Sequence, residues 1–327
     1  MRIIRFLTVL LIESVKLLCV AACVSIPHLK PAEPLLAKPY HFSSVIQQWD
    51  GSGRYDIALV GIPFDAGGTP GARYAPRVVR EALRSLTSYD VERKIDVEDV
   101  RVADFGDIDI VEDNPGLTLQ RVKDALARII RLSLFTIVLG GDQTATAPGV
   151  EALRTATPAD VALVYVDPEG DVEEGGPTRS SGVLRHILDA SILEPKRVLV
   201  LGLRSFSTPR SAIEYFQQKG VRFLTAVELR RGLQGLREAL NAVTENAEAV
   251  FVSWDLRTIS LPPLAVTGIP LHLALSLMNQ LCSHPFATVL HLAEYSPLSD
   301  PFHAGAQAAA LLTAAAVAAR FGKRLES

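Results

Sequence analysis

The chain has 327 residues, 48% hydrophobic and 21% charged, with a formal net charge of −3. That is enough chain and apolar content for one large α/β domain or two smaller ones. The near-neutral balance and the lack of a basic run argue against a nucleic-acid partner. Three cysteines, Cys19, Cys23 and Cys282, make neither a disulfide framework nor a zinc pattern, so a core suited to a reducing, cytoplasmic setting is expected.

Residues 1–25 (MRIIRFLTVLLIESVKLLCVAACVS) contain Arg2 and Arg5 ahead of an apolar run, as a secretion signal does. Val20-Ala21-Ala22-Cys23 resembles a lipoprotein cleavage box. Glu13 and Lys16 interrupt the run and leave neither half long enough to span a bilayer. A targeting signal, an amphipathic import or membrane-surface helix, and a start codon assigned too far upstream all stay open as readings. The following PHLKPAEPLLAKPY is proline-rich and reads as a linker, which puts residues 1–50 outside the core and the folded domain at 51–327.

From there, strand-like and helix-like patterns alternate. Tyr55 to Phe64 (YDIALVGIPF) reads as a strand closing in the glycine-rich turn DAGGTPGARYAP. Arg77 to Leu86 has helical spacing, with Val78, Val79, Ala82 and Leu86 on one face. Arg101 to Ile110 suggests a strand, Leu119 to Leu132 an amphipathic helix, and Phe135 to Leu139 a buried strand ending in Gly140-Gly141-Asp142-Gln143-Thr144. After a short helix, Val161 to Val166 is apolar at both odd and even positions, the signature of a strand covered on both faces. Further elements are a helix at Leu184 to Leu193, a strand at Arg197 to Leu203, a helix at Ala212 to Lys219 and a strand at Val221 to Leu224. A helix across Val227 to Val243, strands at Ala249 to Trp254 and Thr288 to Ala293, and an alanine-rich helix from Ala304 complete the chain. The alternation predicts one α/β domain, a three-layer α-β-α sandwich about a mostly parallel central sheet.

Polar clusters gather at predicted strand ends, where ligands of such sheets bind. Asp167, Glu169 and Asp171 fall at i, i+2 and i+4, and an extended backbone would aim all three carboxylates to one side. Like charges that close need a cation or raised pKa values. Ser253 to Arg257 (SWDLR) and Glu294 in AEYSP mark two more ends. Trp254 is expected to fill the core. Ser205, Thr208 and Arg210 sit on a loop after Gly202 that either touches a ligand or is simply polar.

These clusters carry a resemblance to the ureohydrolases, the arginase and agmatinase family, over roughly Asp56 to Arg320. VGIPFDAGGTPGARYAPRVVREAL resembles the family's early glycine-rich segment, GGDQT its GGDHS, DPEGD its DAHxD, and SWDLR its SxDxD. TGIP at Thr267 to Pro270 resembles the TGTP loop, and AEYSPLSD resembles EVNPxxD. The resemblance implies the arginase/deacetylase-like sandwich, assembly into trimers or hexamers, and a two-manganese centre. In the family, two histidines and four aspartates hold the ions, whose shared hydroxide attacks an amidine carbon; bound dications supply the acidity that water lacks. A glutamate then grips the substrate's cationic group.

The ligand positions depart from that pattern. Gln143 and Glu169 stand where the family has histidines, and Arg257 stands where it has an aspartate. Asp167, Asp171 and Asp255 remain, and Glu294 matches the substrate-gripping acid. A further family histidine falls at Ser181, while nearby His186 lies within a predicted helix as a surface or core residue. Gln143, Asp167, Asp171 and Asp255 make an all-oxygen set for at most one hard cation, Mn²⁺, Mg²⁺ or Ca²⁺, or none. Arginine has no acceptor, so Arg257 cannot ligate; its fixed charge is expected to stand in for the second ion against Asp255 or Glu169. The resemblance therefore implies a family member with lost or strongly reduced amidine hydrolysis, kept as a partner subunit or as a binder of a small cationic compound. The alternative is a hydrolase working with one hard cation.

Overall fold

A computed structural model of the chain describes residues 26–324 apart from 36, 158–159 and 262–266. The readings made for residues 1–25 lie outside these residues. Ten strands form the central sheet: β1 (Leu29–Lys30), β2 (Ile46–Gln48), β3 (Tyr55–Gly61), β4 (Val102–Ile108), β5 (Ser133–Leu139), β6 (Val161–Val166), β7 (Val198–Leu203), β8 (Arg222–Thr225), β9 (Ala249–Asp255) and β10 (Ala287–Ala293). Their order is β1-β4-β3-β5-β10-β9-β6-β7-β8, with β2 also on β4. Every pairing is parallel except that of β1 with β4.

The helices are α1 (Ala75–Leu83), α2 (Pro115–Leu132), α3 (Thr146–Ala156), α4 (Val183–Asp189), α5 (Arg210–Lys219), α6 (Ala226–Arg231), α7 (Gln234–Thr244), α8 (Leu271–Cys282) and α9 (Ala304–Phe321). They bury the sheet on both faces. Along β6, Val161, Leu163 and Tyr165 join one apolar cluster with α2, α3 and α4, while Ala162, Val164 and Val166 join the other with α7, α8 and α9. This is the physical content of a strand apolar at every position: each face meets its own helical layer. The predicted three-layer architecture is what forms.

Three readings need correction. Residues 26–50 do not lie outside the core: β1, within the proline-rich stretch, and β2, after it, pair with β4, and Phe42, Val45 and Ile46 are buried in the core. Prolines cluster between these short pairings and not within them, so composition alone concealed the docking. The helix expected across Val227 to Val243 is two helices, parted at Gly232 (φ 138°). Helix α8 was passed over, although Ala274, Leu277, Met278 and Leu281 repeat at helical spacing and are buried.

Phe42 is 1% exposed within the large cluster. Replacing it (Phe42→Ala) is expected to cost about 3 kcal/mol of stability, the usual penalty for an emptied aromatic core position. Urea unfolding of the two proteins checks this, and an unchanged midpoint would return residues 26–50 to the status of a linker.

Candidate functional site

Strands β5, β10, β9 and β6 are consecutive neighbours at the centre of the sheet. Because all four run parallel, their carboxyl ends lie side by side, and each end carries one of the sequence's polar clusters. The register places Asp255 opposite Ala293, the residue before Glu294, and Trp254 opposite Val166, the residue before Asp167. Thus Gln143, Asp167, Asp255 and Glu294, far apart in the chain, converge through sheet order alone.

The three acids after β6 do not share one side. The Asp167 carboxylate accepts from the backbone N–H of Glu169 (2.7 Å) and of Gly170, closing an Asx-type turn. Gly170 (φ 98°) and Asp171 (φ 49°) then take left-handed conformations. A Cβ on Gly170 would come within 3.0 Å of the Phe216 ring, so both the φ and the close packing call for glycine there. The turn buries Asp167 and Asp171 together and throws Glu169 outward, its side chain 41% exposed. The Tyr165 hydroxyl donates to Asp171 from within the strand. Burial, with the Asp167 charge adding to it, raises the pKa of Asp171 well above the carboxylate range.

Asp255 is wholly buried, and Arg257 answers it. The Arg257 backbone N–H donates to Asp255 Oδ1 (2.6 Å), and Nε and Nη2 both reach Oδ2, at 2.9 and 2.6 Å. Glu169 lies farther off, 3.7 Å from Arg257 Nη1. Of the two partners expected for the guanidinium, Asp255 is the close one. Its negative charge raises the pKa of Arg257, while burial raises that of Asp255 with Arg257 pulling against it.

A two-manganese centre does not fit this donor set. Both oxygens of Asp255 are engaged by Arg257, one oxygen of Asp167 holds its own turn, and one of Asp171 accepts Tyr165. Imidazole is replaced by the Gln143 amide and by the outward Glu169. Among the described residues, no group of three or more His, Cys, Asp or Glu side chains is placed to hold an ion. At this site three buried atoms have no partner within hydrogen-bonding geometry among the described residues: Gln143 Oε1, Gln143 Nε2 and Asp167 Oδ2.

Glu294 is held differently from what the resemblance implies. It is 2% exposed and, like Asp171, takes a left-handed backbone conformation (φ 62°). Oε1 accepts from the Gln143 N–H and the Ser180 hydroxyl, both at 2.7 Å. Oε2 accepts from the Thr69 N–H (2.9 Å) and from the Thr69 hydroxyl. Those bonds fill the acceptor capacity of a carboxylate, leaving no free lone pair for a ligand's cation. Glu294 thus knots three loops together. Asp142 assists by accepting from the Gly67 and Thr144 N–H groups (2.8 and 3.0 Å), and burial, with Glu294 nearby, pushes its pKa up to about 7.

Other candidates fall into structural places. Trp254 is fully buried and donates to Thr258, a core residue as expected. His186 lies on α4, and Ser181 lines a neighbouring acidic cavity of about 490 Å³ with Glu169, Glu173 and Glu174. Thr208 ties its loop to the Pro168 carbonyl (2.8 Å), and Arg210 pairs with Glu214 on the surface. Arg204, Thr69 and Ser180 went unread in the sequence. Arg204 follows β7 directly, so the strand-end rule would have found it, whereas nothing local marks Thr69 or Ser180 as partners of Glu294.

If Glu294 is the knot, Glu294→Gln presents an NH₂ group to at least one buried backbone N–H. A loss of about 3 kcal/mol or more in denaturant unfolding is expected. A variant as stable as the parent would mean that Glu294 has capacity to spare for a ligand.

An arginase-family model matches residues 55–319. The chain is 27% identical to formimidoylglutamase of Halalkalibacterium halodurans, over 65% of this chain and 69% of that protein. It is also 27% identical to agmatinase of Pyrococcus horikoshii, over 66% of this chain and 72% of that one. The solved structure of formimidoylglutamase from Bacillus subtilis superposes with a TM-score of 0.80 at 22% identity, covering 90% of this chain and 96% of that chain, a likeness of fold. The chain belongs to the arginase family.

Proposed function

We propose that this chain is an arginase-family protein in which two-metal amidine hydrolysis is lost or strongly reduced, and that the fold serves as a partner subunit or a ligand-binding protein. The observation that carries the reading is the Arg257 guanidinium, 2.6 Å from Asp255 where a dication would need that carboxylate. A guanidinium supplies positive charge but cannot polarise and deprotonate a bound water as a dication does. Of the four acids at these strand ends, Asp255 and Glu169 approach this fixed cation, at 2.6 and 3.7 Å.

A second reading is a hydrolase working with a single hard cation. It is favoured by the unpartnered Gln143 Oε1 and Asp167 Oδ2, oxygens of the kind Mg²⁺, Ca²⁺ or Mn²⁺ would take.

Metal analysis of the purified chain separates the two. Less than one ion per chain is expected, one ion would favour the second reading, and two tightly held ions would defeat the first. The relatives' names make agmatine and formimidoylglutamate the first compounds to assay. With Mn²⁺ added, turnover is expected at least about 10³-fold below a family enzyme measured in parallel, the scale of several kcal/mol of lost metal stabilisation. Restoring Gln143→His, Glu169→His and Arg257→Asp together should raise Mn²⁺ uptake. A triple variant that folds yet takes up no more metal would show that these strand ends do not correspond to the family's ligand positions.

A further inference from the structure

The geometry points to a ligand anchored by a carboxylate in the cleft beside Arg257, with the Arg204 and Arg257 guanidinium groups as its anchors. This rests on the reading that the cleft is a binding site rather than a two-metal catalytic centre, and it names the chemistry that such a site takes. The cleft, about 260 Å³, has apolar walls from Leu256, Ile259 and Leu261 and the exposed Phe302 on its lining. Its two acids are both tied to the protein itself, Glu294 completely and Asp300 through three hydrogen bonds. Glu294 has its acceptor sites filled, as described, and Asp300 accepts from the Tyr295 hydroxyl and from the Ala304 and Gly305 N–H groups at the start of α9. The buried acids Asp167, Asp171 and Asp255 do not line the cleft.

The two cations on its lining are less fully committed. Arg204 makes neutral contacts, donating through Nε to Ser207 and through Nη1 to the Arg257 carbonyl, at 3.0 and 3.2 Å. Arg257 is 35% exposed, and among the described residues its Nη1 has the loose 3.7 Å approach of Glu169, itself half-exposed on the rim of the neighbouring acidic cavity. An incoming carboxylate would displace Glu169 from that nitrogen and gain Arg204 as a second partner. Paired guanidinium donors above an apolar wall recognise a carboxylate with an apolar stem, whatever group the far end carries. A bare guanidinium ligand would meet two like charges, a filled carboxylate at Glu294 and at most the remaining acceptor site on Asp300 Oδ1.

Isothermal titration of the full chain with pentanoate and with n-butylguanidinium tests this. Pentanoate is expected to bind at least about tenfold more tightly than n-butylguanidinium, the scale of one charge-assisted hydrogen bond. Arg204→Gln, checked for an unchanged circular dichroism spectrum and melting temperature, should weaken pentanoate by about tenfold. Glu169→Gln should strengthen it by a few-fold, about what an exposed competing ion pair is worth. The inference is overturned by equal or tighter guanidinium binding, by pentanoate affinity indifferent to Arg204→Gln, or by no pentanoate binding at about 10 mM, where even a weak anchor registers. Should Arg204→Gln not fold, the parent protein's selectivity and the Glu169→Gln result decide. Metal content and turnover judge the parent reading separately, so either idea can fail without the other.

Discussion

A carboxylate sealed at the end of a central parallel strand has to be protonated or matched by positive charge, because its ionised form is costly away from water. Asp255 meets that condition through Arg257, two residues along its own chain: the backbone N–H donates to Oδ1 and the guanidinium holds Oδ2, so neither oxygen is idle. The rest of the site follows from this local solution. Glu169 is a distant second partner, Asp171 turns to the Tyr165 hydroxyl, and Asp167 turns to its own backbone. Each of these acids is thus held by a group the chain itself contains.

The same economy governs the loops above the sheet. Glu294 and Asp142 accept from the glycine-rich segment, from the turn after β5 and from the loop holding Ser180, so the loops are fastened to one another through two buried acids. Gly68 is the counterpart of that fastening: a side chain there would run into Ser180, Asp142 and Glu294 together. The cleft beside them is lined by the Arg204 and Arg257 guanidinium groups, the latter held by Asp255 on one edge. The family's fold is thus retained, with Arg204 and Arg257 on the cleft lining beside Glu294 and Asp300.

Much of this was legible in the residues themselves. The double-sided apolar pattern of β6 announced helices on both faces, and the clusters at Gln143, Asp167, Asp255 and Glu294 announced strand ends before any pairing was known. Arg257 was identifiable as a non-ligand from its chemistry alone, since no arrangement gives arginine a lone pair to offer. The direction of the Asp167, Glu169 and Asp171 side chains was not legible, because their spacing assumes an extended chain and Asp167 itself bends it. Nor was the docking of residues 26–50, which depends on an open edge of β4 rather than on any strong strand signal of their own.

Periodicity, residue chemistry and the order of motifs therefore determined the sandwich, the strand ends that matter and the change at Arg257. These are properties of single elements and survive without knowledge of what lies beside them. The tertiary structure alone decided that Arg257 closes on Asp255 rather than Glu169, and that Glu294 is filled by Thr69, Gln143 and Ser180. The reason is physical: a hydrogen bond is chosen among groups within about 3 Å. Which groups come that close at a parallel strand end is set by sheet order and by loops more than a hundred residues away in the chain.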